Sequence, residues 1–357
     1  MRKMQTELLS VSDESLMKAS MLLAKGELVA FPTETVYGLG ANALNREAVL
    51  SIFKAKGRPA DNPLIVHIYD TNQLDPLCEI PPLAHTLIEA FWPGPLTLLF
   101  PKKEAVPMEV TAGLPTVAIR MPSHPAAFAL LKTCGLPIAA PSANRSGRPS
   151  PTTALHVMED MNGKIPLILD GGHCEVGVES TVLDICHGQP VILRPGGITK
   201  EMLEDTLHRE VRLAGSILRP LRPDEKALSP GMRYKHYAPN GTVSLVEGKE
   251  EDVVSALRLL CEKDLAAGIP SCVLCFTEHL PALEHCRPHD LGSLQNASQA
   301  AHRLFDTLRL LDQEEIQTIY SEVLPPRGVG LAVMNRLGRA AGFRTIQAQE
   351  VLSAACK

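Results

Sequence analysis

The sequence predicts an α/β protein in two parts, a larger one built on a mixed sheet with helices and a smaller three-layer unit after it. Three observations predict this. Short β-type runs alternate with stretches of helical periodicity along most of the chain. Ile165 to Leu169, Ser180 to Asp184 and Val191 to Leu193 follow one another through turns too brief for helical crossovers, so the larger sheet cannot be purely parallel. Between about Leu213 and Gly241 the periodicity fails, and Pro220, Pro223, Pro230 and Pro239 with Gly231 mark a linker. A chain of 357 residues also exceeds the usual allotment of about 100–200 residues per domain. The expected divisions are a main domain over 1–212, a linker over 213–240 and a second α/β domain over 241–357.

Asp13 to Lys25 places Leu16, Ala19, Ser20, Leu22 and Leu23 at helical spacing, with Ser12 or Asp13 as the cap and Gly26 as the stop. Leu28 to Phe31 is a buried strand ended by Pro32, and the polar, glycine-rich Thr33 to Gly40 reads as a loop. Arg46 to Lys56 is helical, Leu64 to Ile68 a strand, and Leu83 to Phe91 a helix broken by Trp92-Pro93-Gly94-Pro95. Strands at Leu96 to Phe100 and Val117 to Arg120, a helix near Ala126 to Leu131 and the strand Ile138 to Ala140 continue the pattern. Beyond the linker, strands at Thr242 to Val246, Ser271 to Phe276 and Ile316 to Val323 alternate with helices at Glu250 to Ala267, Ala297 to Leu311 and Gly330 to Ala341.

An apolar fraction of 45% and a charged fraction of 21% are those of a globular chain. A net charge of -5 argues against a surface that grips nucleic acid over its whole extent and allows only a local RNA contact. No run approaches the roughly 18 apolar residues of a membrane span. Met1 to Glu7 lacks the apolar core and cleavage site of a secretory signal, so the expected compartment is the cytoplasm. Nine cysteines without framework spacing fit reduced thiols there. Cys272-Val273-Leu274-Cys275, with His279, His285 and Cys286 nearby, has zinc-like spacing, but it also reads as a plain buried strand, and no metal site is assigned.

No G-x-x-x-x-G-K-[ST] motif occurs, so a P-loop is excluded. Gly38-Leu39-Gly40-Ala41-Asn42-Ala43 fits the loose dinucleotide pattern, but no acidic residue ends a second strand about 20 residues later. Lys56-Gly57-Arg58-Pro59 ends a helix. Its cations can answer the C-terminal dipole, with Gly57 as a left-handed stop, or reach phosphates from the irregular Ala60-Asp61-Asn62-Pro63 that follows. Pro141-Ser142-Ala143-Asn144-Arg145-Ser146-Gly147 gathers hydroxyl, amide and guanidinium groups at a strand end, as either an ordinary polar turn or a phosphate and ribose contact. His67 closes a strand and reads as structural or as a contact.

Thr33-Glu34-Thr35-Val36-Tyr37-Gly38-Leu39, Lys56-Gly57-Arg58-Pro59, Asn62-Pro63-Leu64, Pro141-Ser142-Ala143-Asn144 and Arg194-Pro195-Gly196 occur in one order on one domain. Together they resemble the YrdC-like threonylcarbamoyl-AMP synthase family, and Ser229 to Tyr237 with the α/β unit after it resembles its long, two-domain form. The resemblance implies a twisted, mixed, open sheet with a concave site, and a smaller Rossmann-like C-terminal domain. It implies a nucleotidyltransferase that forms threonylcarbamoyl-AMP and pyrophosphate from L-threonine, bicarbonate and ATP, for threonylcarbamoyladenosine in tRNA next to the anticodon. The implied catalytic residues are Lys56 and Arg58. The implied ATP contacts are Arg58, Asn62, Thr116, Ser142, Asn144, Ser150, Arg194, Tyr234 and His236; the implied threonine contacts are Thr35, His67, Arg120, Ala140 and Ser180.

Mg2+ is expected to arrive with the ATP phosphates, since no acidic cage stands out and only Glu34 and Asp61 lie near the motifs. Arg233 to Tyr237, which interleave cations and aromatics, are expected to fold over the site mouth and exclude water, with Tyr234 contributing to ATP binding. Expected partners are ATP, L-threonine, bicarbonate, a transferase that takes the product to tRNA, and at most a weak tRNA contact. The related hydrogenase-maturation carbamoyltransferases carry acylphosphatase and zinc segments before this kind of domain, and neither is present in the sequence.

Overall fold

The structure, a computed structural model, describes residues 4–221, 225, 228 and 237–355. Two compact units divide them: the larger holds residues up to Ser146 and Ser150–Ile217, the smaller Gly147–Pro149, Leu218–Pro220 and the residues from Tyr237 on.

The larger unit runs β1 (Glu7–Ser10), α1 (Asp13–Ala24), β2 (Val29–Phe31), β3 (Gly38–Asn42), α2 (Arg46–Lys56), β4 (Ile65–His67), α3 (Pro82–Phe91), β5 (Leu96–Pro101) and α4 (Met108–Thr111). It continues with β6 (Thr116–Arg120), α5 (Pro125–Cys134), β7 (Ile138–Ala139), α6 (Ala154–Met161), β8 (Leu167–Asp170), β9 (Thr181–Asp184), β10 (Val191–Arg194), α7 (Lys200–Leu207) and β11 (Arg212–Leu213). One sheet in the order β1-β8-β2-β3-β7-β4-β6-β5-β9-β10-β11 joins the strands. The sheet is mixed, as the brief connections predict: β4 and β6 are parallel, while β7 runs antiparallel between β3 and β4.

Local chemistry accounts for the helix ends. Ser12 and Ser15 form a reciprocal capping box on α1, whose Leu16, Ala19 and Leu23 pack with Leu130 and Leu131 of α5 and Phe31 of β2. Asn45 caps α2 by accepting from the backbone N–H groups of Glu47 and Ala48. Gly57 ends the same helix at φ 61°, the left-handed conformation that glycine adopts without a Cβ penalty.

Gly38 to Asn42 is a strand that takes in Gly38 to Gly40, the end of the loop expected over Thr33 to Gly40, and its glycines serve packing. A Cβ on Gly40 would come within 2.8 Å of the Phe31 ring and 2.9 Å of Ile138 Cγ2. Thus the dinucleotide-like pattern marks a place where β3 closes over an aromatic ring, with no turn to receive a pyrophosphate.

The smaller unit contains β12 (Thr242–Glu247), α8 (Glu250–Ala266), β13 (Ser271–Cys275), β14 (Pro288–Asp290), α9 (Ala297–Gln313), β15 (Thr318–Ser321), α10 (Gly328–Ala340), β16 (Thr345–Gln347) and α11 (Ala348–Ala355). Its five-stranded sheet, ordered β14-β13-β15-β12-β16, is parallel throughout. The β12-to-β13 and β15-to-β16 crossovers travel in opposite directions, so right-handed connections place α8 and α10 on opposite faces. Val253, Ala256 and Leu257 of α8 and Ala348 of α11 share one core with Val273, Cys275 and Tyr320. Among the described residues no helix is long and apolar enough to cross a membrane.

Candidate active site

The loop between β2 and β3 is the hub of the site. Thr33 Oγ1 donates to the Val36 carbonyl at 2.6 Å and accepts from the N–H groups of Thr35 and Val36, each at 3.3 Å, so one hydroxyl fixes the turn. Backbone bonds then tie the loop to three segments: Ala143 N–H to Tyr37 O (2.8 Å), Tyr37 N–H to Pro151 O (2.9 Å) and Val176 N–H to Glu34 O (2.7 Å).

Around this hub lies a cationic group at the end of α2. The buried Lys56 ammonium donates to the Ser142 carbonyl, to the Asn144 carbonyl at 2.6 Å and to Asn144 Oδ1 at 3.3 Å. Ser142 Oγ also donates to Asn144 Oδ1 at 2.6 Å. Arg58 Nη2 donates to the carbonyls of Asn62 (3.0 Å) and Pro63 (3.3 Å), and its guanidinium lies 5.7 Å from the Phe53 ring centroid. Direct contacts thus join Lys56 to Ser142 and Asn144, and Arg58 to Asn62, and Gly57 links the two sets through the chain. Lys56 acts within this assembly as the clamp on the Ser142–Asn144 turn.

A second group sits at the carboxyl ends of β4 and β6, where the parallel register sets His67 opposite Arg120. Arg120 Nη1 donates to Thr35 Oγ1 at 2.9 Å, and Nη2 stands 2.5 Å from Glu34 Oε2 in a pair whose side chains are each only 4% exposed. Burial, then the adjacent Arg120 charge, pushes the His67 pKa down to about 3 against the opposing backbone bonds, so its ring is neutral at physiological pH. Both Glu34 carboxylate oxygens, Arg120 Nε and Nη2, and His67 Nδ1 lack a hydrogen-bond partner among the described residues. The Glu34–Arg120 contact is close but not aligned as a hydrogen bond. Leaving a buried polar atom unsatisfied costs about 1–3 kcal/mol, so a concentration of them points to a polar ligand.

Ser180 anchors a third group. Its hydroxyl meets Thr97 Oγ1 at 2.8 Å and accepts from Arg194 Nη2 at 3.1 Å, while Arg194 Nε donates to the Ser180 carbonyl at 3.1 Å. The neighbouring Glu179 accepts from Ser150 Oγ at 2.6 Å. Gly196 makes this possible: a Cβ there would lie 2.5 Å from the Glu179 carbonyl oxygen and 2.6 Å from the Ser180 carbonyl carbon.

Thr116 and Arg120 project from the same face of β6 by the two-residue alternation of a strand, about 13 Å apart at roughly 3.3 Å per residue. Ala140 N–H donates to the Ile65 carbonyl at 2.9 Å, which places Ala140 beside the start of β4. Tyr234 and His236 lie outside the described residues. Tyr237, from the same expected lid segment, is buried in the smaller unit 5.2 Å from the Phe305 ring.

Sequence reasoning treated Glu34 only as a neighbour of a metal and did not reach Thr97, Glu179 or the packing role of Gly196. Glu34 carried a signal, a charge between two threonines in a run leaving a buried strand. Thr97 carried none, because its meeting with Ser180 depends on the parallel β5–β9 register that sets Leu96 opposite Thr181. Among the described residues no group of three or more His, Cys, Asp or Glu side chains could hold a metal ion. Cys272 and Cys275 are buried in β13, and burial pushes both thiols up, Cys275 to about 12.

Comparison with known proteins agrees with the two-part organisation. Residues 21–196 match the Sua5/YciO/YrdC family model, described as "Telomere recombination", and residues 198–342 match "Threonylcarbamoyl-AMP synthase, C-terminal domain". The threonylcarbamoyl-AMP synthase of Bacillus subtilis is 47% identical over 96% of this chain and 97% of its own length. That of Schizosaccharomyces pombe is 44% identical over 88% of this chain and 84% of its own. The crystal structure of Pyrococcus abyssi Sua5 complexed with L-threonine superposes with a TM-score of 0.89 at 44% identity, covering 96% of this chain and 99% of that one. Likeness on this scale, over both units and with the motif residues gathered as described, places the chain in the threonylcarbamoyl-AMP synthase family.

Proposed function

We propose that this enzyme forms threonylcarbamoyl-AMP and pyrophosphate from L-threonine, bicarbonate and ATP, for threonylcarbamoyladenosine modification of tRNA next to the anticodon. The observation that carries the reading is the pairing of two unlike groups on one sheet. Lys56, Arg58, Asn62, Ser142 and Asn144 offer cations, amide and hydroxyl to a triphosphate, while Arg120, whose Nε has no partner among the described residues and which stands beside a neutral His67, offers a guanidinium to an amino-acid carboxylate. Thr116 and Arg120, on one face of β6, set a nucleotide contact and an amino-acid contact along the same strand.

In this reading, bicarbonate gives carbon dioxide and hydroxide, threonine's amine nitrogen forms a bond to that carbon and loses a proton, which the hydroxide takes to leave as water, and the carbamate oxygen attacks the α-phosphorus of ATP. A P–O bond forms there, the bond to the bridging oxygen of the β-phosphate breaks, and pyrophosphate leaves with that electron pair. The carbamate is itself an anionic nucleophile, so no activated Ser, Cys or His is needed. The protein aligns the reactants and neutralises charge on the phosphoryl oxygens, with Ser150 and Arg194 adding ATP contacts and Ser180, held by Arg194, a threonine contact. Mg2+ enters as part of the MgATP substrate, bound by the phosphates. The product passes, in the cytoplasm, to the transferase that modifies tRNA, with any tRNA contact of this chain local and weak.

Pyrophosphate release tests the proposal, measured with ATP, Mg2+ and bicarbonate against each amino acid in turn. Release that requires both L-threonine and bicarbonate is expected. Release indifferent to bicarbonate, or equal for every amino acid, contradicts it.

A further inference from the structure

The open valences beside Arg120 carry both signs. Arg120 Nη2 and Glu34 Oε2 face each other as an ion pair without an aligned hydrogen bond, while the donor Arg120 Nε and the acceptor Glu34 Oε1, on an acid about as buried as the arginine it faces, have no partner among the described residues. Were Glu34 present only to orient Arg120, the pair would be expected to close into aligned N–H···O bonds, the strongest arrangement available to a guanidinium and a carboxylate. Instead the two touch at 2.5 Å without that alignment, while the donor to Thr35 Oγ1 is well formed at 2.9 Å. His124, near enough to feel Glu34, is held below its ordinary pKa by burial and adds no second cation at neutral pH.

We propose that Glu34 receives the α-ammonium group of the amino-acid substrate, so that Glu34 and Arg120 together read the zwitterionic head group. The inference rests on the threonine reading given above and deepens it. A free amino acid at neutral pH presents an ammonium and a carboxylate on one carbon, and a buried ion pair with open valences of each sign is complementary to that dipole. Carboxylate binding alone would leave the Glu34 oxygens unsatisfied in a site from which substrate has displaced water. An ammonium supplies the missing donors; on carbamoylation the nitrogen gives up two protons, one to the hydroxide released from bicarbonate and one to solvent, and keeps one N–H to give. Glu34 reaches this position because the Thr33 turn and the Val176 N–H to Glu34 O bond fix its backbone beside the end of β6.

Calorimetric titration with L-threonine and with 3-hydroxybutanoate, the same molecule without its amine, tests the proposal. The unsubstituted protein is expected to bind threonine at least about tenfold more tightly than the deamino analogue. Glu34→Gln is expected to lose most of that preference while binding the analogue about as well as before, and Glu34→Asp, which keeps the charge, to retain part of it. Equal binding of the two ligands by the unsubstituted protein overturns the proposal without any variant. So does a Glu34→Gln protein, folded by circular dichroism, that binds both ligands more weakly by the same factor, as a residue that only positions Arg120 would cause. If threonine and analogue both fail to bind the unsubstituted protein, the threonine reading falls as well.

Discussion

Lys56 and Asn144 stand 88 residues apart in sequence and meet twice, through Nζ to the Asn144 carbonyl at 2.6 Å and through Nζ to Oδ1 at 3.3 Å. The cation at the end of α2 therefore shapes the very turn that carries Ser142 and Asn144.

Lys56→Ala removes the clamp and leaves the carbonyls of Ser142 and Asn144 without their donor. The fold is expected to persist with stability lower by about 3 kcal/mol in urea denaturation, the scale for breaking a buried charged contact. Turnover is expected to fall by at least about a hundredfold, the usual effect of losing a preorganised donor or charge. Lys56→Met, which keeps the bulk, should lose as much activity; near-normal turnover in either variant returns the residue to a simple helix-end cation.

Gly196→Ala tests the packing under Ser180. The added Cβ meets backbone of Glu179 and Ser180, which cannot swing aside as a flexible side chain would. Ser180 and Arg194 should move together, raising KM for both threonine and ATP in steady-state assays. Unchanged KM for both would mean that the site tolerates the shift.

How far the site could be read from sequence depended on how local its causes were. Gly57 as a left-handed stop, with cations on either side of it, is a property of one helix end, and the chain shows it at φ 61°. Strand β3 escaped notice because its glycines follow from a ring, Phe31, on the neighbouring strand. Helices α6 and α7 were passed over although Thr153 and Thr199 cap them, because eight residues give little periodicity to detect. Edge strands β1, β11, β14 and β16 are two to four residues long and exist by virtue of their partners. Thr97 and Glu179 belong to the same class, since tertiary register alone brings them to Ser180 and Ser150.

His67 gives the larger unit an acid sensitivity. The folded ring titrates near 3 and the unfolded one near its ordinary 6.5, so between those values the unfolded state binds the extra proton. This contribution to stability is intact above pH 6.5 and is lost as pH falls toward 3, at up to about 1.4 kcal/mol per pH unit. Equilibrium denaturation of the protein and of His67→Gln across pH 7 to 4 checks it. The slope should be shallower in the variant; equal slopes would assign the acid sensitivity to other groups.

Cys272 and Cys275 should behave as core residues. With their thiols pushed up by burial, they are expected to resist alkylation at pH 8 in the native protein and to react on unfolding. Zinc analysis of the purified protein should find far less than one equivalent. Stoichiometric zinc that is lost on replacing Cys272 and Cys275 would restore the metal reading.

The most direct test of the central claim follows the carbon. The protein is incubated with labelled bicarbonate, ATP, Mg2+ and L-threonine, and the quenched products are separated and identified by mass spectrometry. The account predicts a labelled species containing both threonine and AMP, formed with equimolar pyrophosphate and absent from the Arg58→Ala protein. Threonyl-AMP without the label, or pyrophosphate with no labelled adenylate at the earliest times, would contradict it.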